Sequence, residues 1–215
     1  MAASARPARA EEFFRSVFHM AAISAQVERW RAGDERAAEA LYDHFWDRIY
    51  WLCYCLLGDA GDAEEVAQDA LCYGLVNIAR YDPNQSAFST WLHTIAVSRC
   101  RNKRRRWRPQ LVSLAAWLGM GRDVPDSTLN QENRLVRAEM RGEVWEAVQA
   151  LSARLREAIF LRYWAGHTYR EMADILGCPV STAQSRVRLA YQRLRATLAP
   201  DILSALSDVE ERIVR

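Results

Sequence analysis

Seven of the ten residues from Arg99 to Arg108 are lysine or arginine, and none is acidic. Trp91 and Trp107 bracket this run, with Tyr81 and Phe88 just upstream. Basic side chains neutralise phosphates, and aromatic faces stack on unpaired bases. The combination suits single-stranded or melted nucleic acid. A solvated basic helix end would carry the same charge. An acidic lipid surface is less suited, because the run has no clear apolar face of its own.

A second charged segment has the opposite sign. Asp59 to Asp69 holds five acids and no basic residue. On a helix, Asp62, Glu65 and Asp69 share one face, at i, i+3 and i+7. Acids at a helix start suit the macrodipole without any partner. The other reading is a docking face for a basic partner helix.

A third segment, Thr168 to Arg195, has the order of a helix-turn-helix. Thr168-Tyr169-Arg170-Glu171 is a capping box. Ala173 is small where a second helix would cross closely, and Gly177-Cys178-Pro179 makes the turn. The second helix begins at Val180 or Ser181. Ala183, Val187, Ala190 and Leu194 should pack inward, and Gln184, Arg188, Gln192 and Arg195 form the opposite stripe. Gln suits adenine and Arg suits guanine in a major groove. Arg186 and Arg193 on the flank, with the hydroxyls of Thr182 and Ser185, suit phosphates. A plain helical hairpin with a charged outer face is the alternative.

These segments need helices to hold them, and the periodicity is helical nearly everywhere. Gly33-Asp34 is a helix entry, followed by the apolar stripe Leu41, Phe45, Ile49, Leu52 and Leu56. Gly58 to Gly61 ends that helix. A second runs from Asp62 to about Ala79, and Tyr81 to Ser86 reads as a loop around Pro83. A third runs from Phe88 or Ser89 to about Trp107, stopped by Pro109. Pro109, Gly119, Gly121 and Pro125 then interrupt the pattern, which resumes near Glu132 and persists to Leu198. The expected fold is all-α: two small helical domains on a tether, the second containing the helix-turn-helix. The boundaries read as a loose extension over 1–24 (with Met20 a second candidate start), a first domain over 25–108, a linker over 109–133, a second domain over 134–199 and a tail over 200–215.

Several function classes lack support. No carboxylate pair, nucleophile–base set or phosphate loop stands out, so no enzyme and no cofactor is expected. Cys53, Cys55, Cys72, Cys100 and Cys178 form no disulfide ladder and no C-x-x-C pair, and the four histidines are scattered, so reduced thiols and no metal are expected. No apolar run approaches the roughly 18 residues of a membrane span, and the opening residues lack a signal-peptide core. A cytoplasmic location is expected. The net charge of +2 is too small to indicate a partner by itself.

In this order and spacing, the segments resemble the sigma-70 family, specifically its extracytoplasmic-function (ECF) group, over roughly residues 34–198. Residues 58–69 resemble the second conserved region, which grips the polymerase clamp. The resemblance implies that Asp62, Glu65, Gln68 and Asp69 bind core RNA polymerase. Residues 88–99 are similar to the promoter-melting and −10 element segment. Tyr81, Phe88, Trp91, Ser98, Arg99, Asn102 and Lys103 are thereby implied at the melted strand. Residues 166–186 resemble the −35-reading fourth region. Thr182, Gln184, Ser185, Arg186, Arg188 and Gln192 are implied at that duplex. Ser98 stands where many relatives carry Asn, and Gln184 replaces a frequent basic residue. The implied partners are core polymerase, promoter DNA and an anti-sigma factor. Two rivals remain: a helix-turn-helix regulator that never docks on polymerase, and a helical RNA-binding or interaction protein.

Overall fold

A computed structural model of the chain describes residues 21–106 and 142–198. No strand occurs among them. The tether (109–133), Trp107, Pro109, the first 20 residues and the tail (200–215) lie outside the described residues.

The first unit contains four helices. Residues 21–31 form α1. Three longer helices follow: α2 (Glu35–Leu57), α3 (Ala60–Val76) and α4 (Phe88–Arg106). Asp34 caps α2 by accepting from the Arg36 amide at 3.1 Å, and Gly58 ends it at φ 80°, where a side chain would be strained. Asp59 caps α3 through the Asp62 amide at 2.9 Å. The stripe Leu41, Phe45, Ile49, Leu52 and Leu56 is buried as its spacing requires. Gly74 lets α3 and α4 approach closely. A Cβ there would lie 2.6 Å from Leu92 Cδ2, and Leu92 is itself buried.

Two expectations need correcting here. Residues 21–24 are helical, not loose, because α1 is fastened to the unit: Val27 is buried and the Trp30 indole donates to the Leu75 carbonyl at 2.8 Å. The helix expected from Asp62 to Ala79 ends at Val76. Asn77 breaks it by donating its side-chain amide to the Tyr73 carbonyl, and Ile78–Arg80 form a tighter 3-10 turn.

The second unit holds α5 (Gly142–Gln149), α6 (Ala153–Ile159), a π-helical turn (Phe160–Trp164), α7 (Tyr169–Leu176) and α8 (Val180–Thr197). The Thr168–Glu171 capping box forms in both directions, and Gly177 turns the chain at φ 63°. In α8 the residues Ala183, Val187, Ala190 and Leu194 are buried.

The two units pack together, α4 against α7 and α2 against α6. The seam between them has a polar composition unlike either interior. Thr90 donates to Glu171 Oε1 at 3.2 Å, and His93 Nδ1 lies 2.6 Å from His167 Nε2. Glu157, 1% exposed, accepts from Arg101 at 2.7 Å and from Arg104 at 2.5 Å. Gln149 donates to the Cys55 carbonyl at 3.0 Å, and the Tyr54 and Trp145 rings stack at 5.1 Å. Among the described residues, Thr90, His93, Glu157, Arg162 and His167 are the buried polar or charged side chains, and all lie at or beside this seam.

Candidate nucleic-acid interface

The recognition stripe is built as its periodicity requires. Burial of Ala183, Val187, Ala190 and Leu194 leaves Gln184, Arg188 and Gln192 exposed on the other side of α8, with Ser185 also exposed and Thr182 half-buried. No acid interrupts that outer face. Arg186 is different. It is half-buried and turned towards α4, in a cleft that also includes Ser98, Arg101 and Asn102. Its Nη1 is buried without a hydrogen-bond partner.

The acidic stripe of α3 has found a basic helix within its own chain. Lys103 lies 2.7 Å from Glu65 and 3.0 Å from Asp62, and Arg99 pairs with Asp69. These bonds to Glu65 and then Asp62 hold the Lys103 ammonium above its usual range. Glu65, Gln68 and Asp69 are nevertheless exposed, and Asp62 half-buried. Exposed pairs of this kind are worth roughly 0–1 kcal/mol, so another cation can replace the internal one cheaply.

The aromatic group upstream of the basic run is mostly core. Tyr81 and Phe88 are 7% and 4% exposed, meet edge to face at 5.2 Å, and Phe88 also packs on Phe45. Burial raises the Tyr81 phenol pKa, and its hydroxyl donates to the Ser86 carbonyl at 3.1 Å. The faces of these two rings are spent on each other and on half-buried Trp91 rather than left open for stacking. They are instead part of the wall of a hollow of about 260 Å³, with Pro83, Ser86 and Ser89 at its loop side. Beyond it on α4, Ser98 and Asn102 are exposed.

The pattern of residue types did not single out Arg101, Arg104, Glu157, His93 or His167. Glu157 follows Arg156 and sits in an otherwise ordinary charged helix, and only its burial reveals it. All five cysteines are free thiols. Cys53 and Cys100 are hydrogen-bonded to each other, and this bond and burial push the Cys53 thiol pKa well up. Among the described residues no three histidine, cysteine, aspartate or glutamate side chains group as metal ligands would, and no helix is long and apolar enough to cross a membrane.

Comparison with known proteins agrees with the arrangement of the two units. Residues 41–118 match the family model for sigma-70 region 2, and residues 141–194 match that for sigma-70, region 4. The ECF RNA polymerase sigma factor SigW of Bacillus subtilis is 29% identical over 82% of this chain and 96% of its own length. The RNA polymerase sigma-H factor of Pseudomonas aeruginosa is 30% identical over 81% of this chain and 92% of its own. The ECF RNA polymerase sigma-E factor of Escherichia coli K12 is 30% identical over 81% and 93%. Among solved structures, the fold is shared with CnrH in complex with the cytosolic domain of CnrY, at 20% identity and TM-score 0.57 over 80% of this chain and 94% of that one. It is also shared with the sigma factor RpoE in complex with the anti-sigma factor NepR from Bartonella quintana, at 23% identity and TM-score 0.58 over 76% and 97%. With a region 2 unit carrying the acidic and basic helices, and a region 4 unit carrying the helix-turn-helix, this chain belongs to the sigma-70 family of RNA polymerase sigma factors, in its ECF group.

Proposed function

We propose a residue-level division of labour for this sigma factor, resting chiefly on the exposed, acid-free outer stripe of α8. Gln184, Arg188 and Gln192 face base edges of the −35 duplex. Thr182, Ser185 and Arg186 hold its phosphates. Ser98, Arg99, Asn102 and Lys103 track the melted −10 strand, and Tyr81, Phe88 and Trp91 shape the hollow beside them. Asp62, Glu65, Gln68 and Asp69 dock on core polymerase, exchanging their internal bonds to Lys103 and Arg99 for those of the partner. This exchange frees the same two cations for DNA, so docking on polymerase and strand capture support one another. The protein acts without catalysis of its own, as a cytoplasmic initiation factor. Its domains are a region 2 domain over 25–108 and a region 4 domain over 134–199, joined by a linker over 109–133.

The packed arrangement cannot read both elements at once. By their names the −35 and −10 elements lie roughly 25 base pairs apart, about 85 Å at roughly 3.4 Å per step. Arg186 shares a single cleft with Ser98 and Asn102. The seam must therefore part on the promoter. An anti-sigma partner, of the kind named for the RpoE complex, would act by holding it shut or covering the faces it exposes.

The test is transcription of a promoter library with core polymerase at two salt concentrations. Arg188→Ala should relax base preference at one or two −35 positions, costing roughly 1–3 kcal/mol there. Arg186→Ala should weaken all sequences alike and flatten the salt dependence by about one charge. Reversal of these two outcomes would mean that the faces of α8 have been exchanged.

A further inference from the structure

The seam encloses a cleft of about 750 Å³ between α4, α6 and the α7–α8 turn. Five guanidinium groups line it, those of Arg101, Arg104, Arg105, Arg154 and Arg186, against the single carboxylate of Glu157. Five positive charges less one negative leave +4 in one concavity. Glu157 is already engaged by Arg101 and Arg104. Arg105 is bonded to Asn102, and neither Arg154 nor Arg186 pairs with an acid among the described residues.

Two of these guanidinium groups also hold a donor without a partner. Arg104 Nη1 and Arg186 Nη1 are both buried and neither has an acceptor. Buried donors are normally satisfied, and a cationic donor left without an acceptor is a larger loss than a neutral one. These two approach the cleft from different units, one on α4 and one on α8. An anion in the cleft would lie between the units, against guanidinium groups of both.

We propose that this cleft binds a small polyphosphate anion, a chain of three or more linked phosphates, free or attached to a nucleoside. Guanidinium forks match phosphate oxygens in pairs, and a triphosphate carries about four negative charges near neutral pH. The cleft volume lies within the usual range for small-molecule sites. A single phosphate would neutralise only part of the charge. Duplex DNA is too wide to enter while both units form the walls.

The consequence is regulatory and goes beyond promoter recognition. The anion contacts both units, so it binds the packed form and stabilises it by mass action. It also occupies Arg186, which is then unavailable to DNA phosphates. A rise in the polyphosphate ligand would lower promoter occupancy without any change in the amount of the protein.

The experiment is calorimetric titration of the full chain with tripolyphosphate, adenosine triphosphate and inorganic phosphate, with promoter-directed transcription measured in parallel. Tripolyphosphate should bind once per chain, and inorganic phosphate at least tenfold more weakly. Arg154→Gln and Arg104→Gln should each weaken tripolyphosphate by about tenfold, the value of one charge-assisted hydrogen bond. Equal affinity for tripolyphosphate and the nucleotide assigns the site to the phosphate chain. Tighter nucleotide binding assigns it to a nucleoside polyphosphate. Arg154 lies outside the residues given to DNA and polymerase, so Arg154→Gln should transcribe normally without the anion and resist inhibition with it. No saturable binding, or an affinity unchanged in both variants, overturns the proposal. Saturable binding in a protein that fails to transcribe would leave this site standing and count against the promoter assignments instead.

Discussion

The interior of the region 2 unit and the seam between the units are both buried, yet they are built of opposite materials. Inside the unit, Leu41, Ile49, Leu52 and Leu56 are almost wholly enclosed and apolar. At the seam sit Thr90, His93, Glu157 and His167, equally enclosed and polar. An apolar core resists opening because water gains nothing from it. A buried ion pair is close to break-even, since its attraction is offset by the hydration its charges give up. The first surface is therefore permanent and the second separable. A sigma factor whose two reading units part on the promoter, as proposed above, would need this difference.

The largest effect should come from breaking the permanent side. Leu52→Ala should destabilise the whole chain by about 2–5 kcal/mol, through lost burial and a residual cavity. Urea unfolding followed by circular dichroism checks this, and a loss under 1 kcal/mol would mean that the core is less tightly packed than described.

Glu157→Gln should act in another way. Removing the acid from a closed seam would leave the partly buried Arg101 and Arg104 without their counter-charge, a loss of roughly 1–3 kcal/mol once solvent screening is allowed for. Opening avoids most of that loss, because both guanidiniums then return to water. The variant should keep its helicity and gain radius of gyration in X-ray scattering, and Arg101→Gln on the facing unit should do the same. Unchanged dimensions with a lower melting temperature would show that the seam belongs to the permanent core.

The smallest effect is the response to acid. Burial, with help from the charges of His167 and Arg48 and against the attraction of Glu171, pushes the His93 pKa down from 6.5 to about 3. Packed His93 stays neutral while exposed His93 takes up a proton below about 6.5. Its contribution is therefore complete above pH 6.5 and lost as the pH falls towards 3. His167, 3.8 Å away, with the hydrogen bonds from Thr168 and against burial, holds Glu171 down to about 2 from 4.5, so its own contribution fades only below pH 4.5. Between pH 6.5 and 4.5 the seam should weaken by at most about 1.4 kcal/mol per pH unit, the slope for one proton. Scattering against pH shows this, and His93→Phe should flatten the response.

The residue pattern made the units legible and the seam invisible, for a physical reason. The inward face of α8 repeats every three or four residues, and the capping box at Thr168 is local, so both can be read from a short window. His93 and His167 are 74 positions apart, and Arg101 and Glu157 are 56 apart. No periodicity links such pairs. Tyr81 and Phe88 illustrate a second limit: residue type alone does not distinguish a ring that stacks on a base from a ring that fills a core.

The stack of Tyr54 on Trp145, with ring planes 13° apart, spans the two units. Trp30, bonded to the Leu75 carbonyl, lies wholly within one of them. If the units separate, the Trp145 indole loses its ring neighbour and meets water, and its emission shifts to the red, while Trp30 keeps its surroundings. Two of the protein's eight tryptophans thus form an optical gauge, one movable and one stationary, readable without an attached dye once the other six are replaced by phenylalanine.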